Sequence, residues 1–423
     1  MKRIALVLSG CLLLLTGCGY RAPMHRSYLP EVTDTTACPG VRAAYRQLAE
    51  LMRKDTGFGA TAGNTVTLIP EGSQKWELLR RDIAKARKSI YLDMYLFHPD
   101  STGRILAEML REKARDGVDV RIILDRHTDA DSEREALAGL LADSVALHFM
   151  HLPVHRDHRK IVLLDGETAY VGGRNLKDAE FLAWRDADLR ITGAAVADLS
   201  AVYRENQQRV APHLGPVYVA EDLPAAARAD VVSQMKQFTD VTVQIVPESP
   251  ADKVLPIRNC FEWALENARR YFWFYNPYAP PPATTLKALR AAVARGVDVR
   301  WIVPAVNDVR VEKWMGESLY RELLEAGVRI FEWQGEMMHA KQFMTDDYLL
   351  GIGSANMDNL SFFVNFEIEA LVYDEDATRH AVQQFLADLE DHCQEITQEA
   401  VRKWSVFRKF RNRVTRKIAG PLG

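Results

Sequence analysis

Two short stretches of the 423-residue chain carry the same chemistry. His158-Arg159-Lys160 and His339-Ala340-Lys341 each place an imidazole two residues before an ammonium group. After four intervening residues each is followed by an acid, Asp165 and Asp346. Gly172-Gly173-Arg174-Asn175 and Gly353-Ser354-Ala355-Asn356 come next, and then a further acid at Asp186 and Glu367. Every one of these pairs is separated by 181 residues. A strand turns alternate residues to opposite faces, so a His and a Lys two apart point the same way. Each half therefore offers one imidazole, one ammonium and one side-chain amide. Two halves facing one cavity would place His158, His339, Lys160, Lys341, Asn175 and Asn356 around a phosphodiester anion. One imidazole can attack phosphorus while the other protonates the leaving oxygen. Asp186 and Glu367 can orient the histidines through their other ring nitrogens. Asp165 and Asp346 count as catalytic candidates by their place in the motif, although acids in a hairpin turn often bond only their own backbone.

The elements that must position these groups also occur twice. The run 65–71 (TVTLIPE) recurs at 242–248 (TVQIVPE), and 117–121 (GVDVR) recurs at 296–300, at offsets of 177 and 179 residues. Such internal repetition marks a duplicated unit. The boundaries expected are 64–225 for a first lobe and 226–400 for a second. In the first, helical spacing over 76–87 and 104–115 alternates with strand-like runs over 89–97 and 118–124. The second repeats this with helices over 261–270 and 286–295 and extended runs over 271–275 and 297–303. Alternation of this kind predicts an α/β fold, with a mixed, mostly parallel sheet in each lobe, flanked by helices. Each histidine motif should lead into a hairpin, turning at Asp165-Gly166 and Asp346-Asp347.

Composition narrows the function. Apolar residues make up 48% and charged residues 26%, which are globular values. Lys+Arg number 54 and Asp+Glu 57, a net charge of −3. Residues 401–423 hold eight Lys/Arg and no acid, so the remainder carries −3 − 8 = −11. Nucleic acid is therefore not an expected partner. The tail 401–423 keeps apolar residues at helical spacing and reads as a basic amphipathic helix suited to an anionic lipid surface. His148, His151, His155 and His158 lie at ligand-like steps, but Pro153 breaks any helix through them and the second lobe has no counterpart, so no metal and no cofactor is expected.

The N-terminus reads as an address. A positive Met1-Lys2-Arg3 precedes an apolar run over 4–15, too short to span a bilayer comfortably. Leu15-Thr16-Gly17-Cys18 resembles the lipobox of bacterial lipoproteins. That resemblance implies a signal peptide over 1–17, lipidation of Cys18 and a lead segment over 18–63. It implies a protein of the bacterial cell envelope, held on a membrane surface. Gly19 carries no acidic retention signal, which points to the outer membrane, facing the periplasm. Of Cys38, Cys260 and Cys393, one pair could form a disulfide.

The doubled HxKxxxxD motif, with its glycines and Asn175 and Asn356, resembles the phospholipase D superfamily. Trp184-Arg185-Asp186, Asn365-Phe366-Glu367 and 353–358 (GSANMD) make it similar to the bacterial cardiolipin synthase branch over residues 65–400. The resemblance implies a monomeric, metal-independent phosphatidyltransferase acting on a phospholipid substrate through a phosphohistidine. It would join two phosphatidylglycerol molecules into cardiolipin and glycerol, with His158 the nucleophile and His339 the acid/base, or the two roles exchanged. A phospholipase D hydrolase of the envelope is the alternative; a nuclease or a non-catalytic binding protein comes behind it. One departure stands out: where the family commonly has Arg-Ser, this chain has Leu360-Ser361.

Overall fold

The structure is a computed structural model that describes residues 39–126, 131–142, 145–220, 235–250, 254–278 and 280–419. The signal segment with Cys18, Cys38 and the interlobe stretch 224–228 lie outside the described residues.

Short runs rich in β-branched and aromatic residues form the strands. The first lobe contributes β1 (Thr61–Glu71), β2 (Ser89–Met94), β3 (Asp119–Asp125), β4 (Ala146–Met150), β5 (Lys160–Leu164), β6 (Thr168–Gly172) and β7 (Arg185–Thr192). The second contributes β8 (Gln237–Glu248), β9 (Tyr271–Tyr275), β10 (Asp298–Pro304), β11 (Arg329–Trp333), β12 (Gln342–Thr345), β13 (Leu349–Gly353), β14 (Glu367–Tyr373) and β15 (Cys393–Ile396). All join one sheet in the order β15-β11-β10-β9-β12-β13-β14-β8-β1-β7-β6-β5-β2-β3-β4. The order reads the same outward from the β8–β1 pair in both directions, apart from the extra β15.

The α/β class and the duplicated lobes are as the sequence implies, but two features of the sheet differ. The lobes share one continuous sheet through antiparallel β1–β8 pairing rather than owning one each. Between the named strands, parallel pairing joins β2–β3–β4 and β9–β10–β11 while the other pairs are antiparallel, so the sheet is mixed but mostly antiparallel. The reason is the motif itself. A three-residue turn can join neighbouring strands only in the antiparallel sense, and the hairpins β5–β6 and β12–β13 are both closed by such turns.

One face of the sheet is covered by the helices Ala195–Val210 and Glu375–His392, whose Leu199, Tyr203, Ala381 and Phe385 belong to a single core running across both lobes. On the other face each lobe has its own core. The helix Pro39–Thr56, expected in a separate lead segment, packs Val41, Tyr45, Leu48 and Met52 into the core of the second lobe. The aromatic run 271–275 is β9, buried throughout. Cys260 and Cys393 are buried free thiols.

Candidate active site

His158 stands two residues ahead of β5 and His339 three residues ahead of β12, both central strands. Lys160 opens β5, and His158 lies on the same side of the chain just ahead of it. What fixes these lead segments is the opposite lobe. The His158 amide donates to the Phe366 carbonyl at 2.9 Å, and the Phe366 amide returns a bond to Arg156 at 2.8 Å. The His339 amide donates to the Arg185 carbonyl at 2.7 Å, and the Arg185 amide to Met337 at 3.0 Å. The second pair is the first displaced by 181 residues with the lobes exchanged. Four interlobe backbone bonds, each contributing about 1 kcal/mol net, thus bring the end of each acid-bearing strand beside the other lobe's histidine.

The crossing decides which acid serves which ring. Nδ1 of His158 lies 3.0 Å from both carboxylate oxygens of Glu367, and Nδ1 of His339 lies 2.8 Å from Oδ2 of Asp186. Both acids were expected to orient the histidines, and each orients the imidazole of the opposite lobe. With Nδ1–H donated to a carboxylate, Nε2 of each ring is the atom left for chemistry. Glu367 is held in turn by the hydroxyls of Ser354 and Ser361, at 2.5 and 2.7 Å. Burial works to raise the Glu367 carboxyl, but the neighbouring His158 and Lys160 hold it below its ordinary value. Asp186 is lowered too, with His339 and Lys341 outweighing its burial.

Lys160 and Lys341 are buried, and each curls back to the carbonyl of its own histidine. Lys341 Nζ also lies 2.7 Å from Nε2 of His339. Burial lowers both ammonium groups against the pull of Glu367 and Asp186, and brings Lys160 to about 7. His158 is pushed down to about 4 by burial and the nearby lysines, against Glu367. At neutral pH it is a neutral imidazole with a free Nε2 lone pair.

Both imidazoles line one cleft of about 420 Å³, together with Asn175, Asn356, Glu180, Trp184, Tyr95 and Tyr278. Tyr95 meets His158 edge-on at 4.7 Å, and Trp184 and Tyr278 flank His339 at 5.4 and 5.8 Å. Asn175 is partly committed already, since its side-chain amide donates to Glu180 at 2.9 Å while its Oδ1 has no partner. Gly173 is fixed by the Asp186 carboxylate, which occupies the place of any Cβ.

Two expected residues are not brought to the site. Asp165 and Asp346 turn the β5–β6 and β12–β13 hairpins at the far end of the motif strands, with positive φ of 53° and 54°. Asp165 accepts the amides of Arg87, Lys88 and Ser89; Asp346 accepts those of Arg269, Arg270 and Tyr271. Their placement among the catalytic residues is corrected: they anchor the strand that carries the His and Lys. The histidines 148 and 155 do not converge on His158 either, since His148 packs on His213 and His155 bonds the Val364 carbonyl. Glu180 is a residue that motif reading missed. Its carboxylate, that of Asp186 and the His339 ring have ligand atoms within 4.8 Å of one another. Setting position 180 against 361 exposes it, because the offset of 181 pairs an acid with a serine.

The family profile described as "Cardiolipin synthase, PLD-like domain" matches residues 79–207 and again 263–389. The chain belongs to this phospholipase D-like family. Cardiolipin synthase A of Pseudomonas putida is 32% identical over 394 residues, covering 89% of this chain and 78% of its own length. The major cardiolipin synthase of Bacillus subtilis is 30% identical, covering 78% of this chain and 70% of its own. Among solved structures, the phosphatidylserine synthase of Haemophilus influenzae shares the fold with a TM-score of 0.68 at 16% identity, over 89% of this chain and 97% of that one. Both profile matches fall on the duplicated lobes, and the histidines of this phospholipase D-type phosphatidyltransferase lie one in each.

Proposed function

We propose that the protein is a cardiolipin synthase-like phosphatidyltransferase of the cell envelope, joining two phosphatidylglycerol molecules through a phosphohistidine. The observation that carries this reading is a pair of imidazoles, one from each lobe, lining one cleft with each Nδ1 held by a carboxylate of the other lobe. His158, kept neutral, presents Nε2 as the nucleophile. His339, whose Nδ1 is held by Asp186 at 2.8 Å and whose Nε2 meets Lys341 at 2.7 Å, takes the acid/base part.

In the first step Nε2 of His158 attacks phosphorus, and the bond from phosphorus to the glycerol oxygen breaks. That oxygen takes the proton from Nε2 of His339, and glycerol leaves. In the second step a hydroxyl of another phosphatidylglycerol gives its proton to His339 and attacks phosphorus. The P–N bond breaks, His158 is restored and cardiolipin is released. Lys160, Lys341 and Asn356 stabilise the phosphoryl oxygens in both steps. Glu180 lies on the His339 side, where it can accept hydrogen bonds from glycerol hydroxyls. Water reaching the same intermediate would give phosphatidic acid instead.

The relatives' names and the cleft's chemistry support a phospholipid substrate. The lipobox-like Leu15-Thr16-Gly17-Cys18 supports a lipid anchor. Incubating detergent-solubilised protein with phosphatidylglycerol should yield cardiolipin and glycerol in equal amounts; phosphatidic acid as sole product would replace transfer by hydrolysis. A phosphorylated histidine trapped with wild type and lost in His158→Ala would support the nucleophile. Labelled fatty acid taken up by wild type and not by Cys18→Ser would support the anchor.

A further inference from the structure

The helix Val406–Ala419 is inside out. Three of its cations, Arg408, Arg411 and Arg416, turn inward onto the helix Arg310–Ala326, where Arg408 holds both oxygens of Glu317 at 2.7 and 3.1 Å. Asn412, buried, adds a bond to Glu317 at 2.8 Å, and Arg416 approaches Glu322 at 3.5 Å. Its apolar side chains turn to solvent instead. Phe407 and Phe410 are each 65% exposed and Ile418 is 70% exposed. With the half-buried Val414 they follow at steps of three, four and four, which is one stripe along a helix. Lys409, Arg413 and Lys417 stand exposed beside the stripe. An apolar stripe bordered by Lys and Arg is the pattern of a helix lying in a bilayer interface. No helix among the described residues is long and apolar enough to cross one.

A second set of exposed apolar residues rings the cleft. Val154, Val309 and Leu360 line its mouth and remain exposed. Leu182 and Phe363, exposed as well, are equivalent positions 181 residues apart at the ends of the short helices Asp178–Leu182 and Asn359–Phe363. Leu360 stands where the family commonly has a cation.

The two sets are connected. Arg413, Arg416 and Lys417 share a shallow cavity with Asn359, the neighbour of Leu360. The helix that bears Glu317 also begins at the cleft, where Val309 and Glu312 line the wall. Charge fixes the sense of approach, because an anionic surface attracts the +8 tail and repels the −11 remainder.

We infer that the helix Val406–Ala419 and the apolar rim of the cleft form one docking face for a bilayer containing anionic phospholipid, and that docking seats the cleft mouth at headgroup level. The role of the rim rests on the phospholipid-substrate reading above; the lipid contact of the helix does not.

The test uses the full chain on vesicles of phosphatidylglycerol and phosphatidylcholine whose acyl chains carry bromine near the headgroups. In Phe410→Trp the introduced indole should be quenched beyond the wild-type signal, and more so as the phosphatidylglycerol fraction rises. Phe407→Ser with Phe410→Ser should lower turnover on vesicles by at least about tenfold, from the lost burial of two phenyl rings. Turnover of short-chain phosphatidylglycerol monomers should be unchanged, which also shows that the variant folds. Lys409→Glu with Arg413→Glu should abolish the preference for anionic vesicles. An unquenched indole in active protein overturns the docking face and leaves the transferase reading standing. So does a lipid-free dimer that the double serine variant dissociates. A quenched indole in protein inactive on both substrates keeps the docking of the helix and removes the transferase reading.

Discussion

Glu180 and Ser361 occupy the same place in the two lobes, and only Glu180 carries a charge. Each accepts the backbone amide of its motif asparagine, Asn175 onto Glu180 and Asn356 onto Ser361, the latter at 3.0 Å. Ser361 passes its own hydroxyl to Glu367 at 2.7 Å, supporting the acid behind His158. Glu180 instead puts a second carboxylate beside Asp186 and His339. His339 thus has two carboxylates close to its ring, Glu180 and Asp186, while the carboxylate bonded to His158 is Glu367.

Replacing Glu180 tests that asymmetry. In Glu180→Ser the acceptor hydroxyls lose a charged hydrogen-bond partner, and transfer efficiency should fall roughly tenfold to a hundredfold. The phosphohistidine should still form, and the products should shift from cardiolipin toward phosphatidic acid. Glu180→Gln should recover part of the loss. An unchanged product ratio in Glu180→Ser would remove the residue from acceptor binding.

The crossed acids predict unlike defects from like substitutions. Glu367→Gln and Asp186→Asn should each lower kcat by roughly 10²–10⁴-fold, the usual range for a misoriented acid–base group. A substrate with a p-nitrophenol leaving group needs no protonation. Phosphohistidine formation from it should recover in Asp186→Asn and stay impaired in Glu367→Gln. Recovery in the opposite variant would exchange the roles of His158 and His339.

The pH profile follows from two buried groups. His158 falls from 6.5 to about 4, so its nucleophilic form persists down to about pH 4. Lys160, at about 7, loses its charge above neutrality in the free enzyme. A bound phosphodiester favours the ammonium form and moves that limb upward. The profile of kcat/KM should therefore fall below about 4 and above about 7, with kcat holding to higher pH. The stability sign agrees for His158. Its folded value is depressed, so the unfolded chain binds the proton first, and this group's stabilisation is complete above 6.5 and lost as pH falls toward 4. An alkaline limb of kcat/KM that survives in Lys160→Arg would assign it elsewhere.

The site was legible because duplication writes it twice. His158 and His339, their lysines and the acids at 186 and 367 all recur at one offset, and periodicity placed β9 at Tyr271–Tyr275. What escaped was long-range. The pairing of Asp157 with Phe366 and of Arg185 with Met338 joins residues far apart in sequence, and no local pattern announces such bridges. Nor does local pattern show whether neighbouring strands run parallel. Glu180 was overlooked because it breaks the repeat instead of obeying it. Its neighbourhood repeats the point: Arg174 partners Asp188 in the first lobe, while Ala355 in the second leaves both oxygens of the buried Glu369 unbonded.

Asp165 separates anchoring from catalysis. Its carboxylate accepts three consecutive amides ahead of and within β2, from Arg87 at 2.9 Å, Lys88 at 2.7 Å and Ser89 at 2.9 Å. The Arg87 and Lys88 amides lie near solvent and can turn to water, so Asp165→Ala should cost about 2 kcal/mol rather than the full value of three charged bonds. A further cost of about 1 kcal/mol comes from an alanine held at positive φ. Asp165→Asn keeps an acceptor and tolerates that φ, so it should lose less. Thermal unfolding of both variants should show this order, with turnover per folded molecule at 25 °C close to wild type. Loss of turnover at unchanged stability would return Asp165 to the catalytic set.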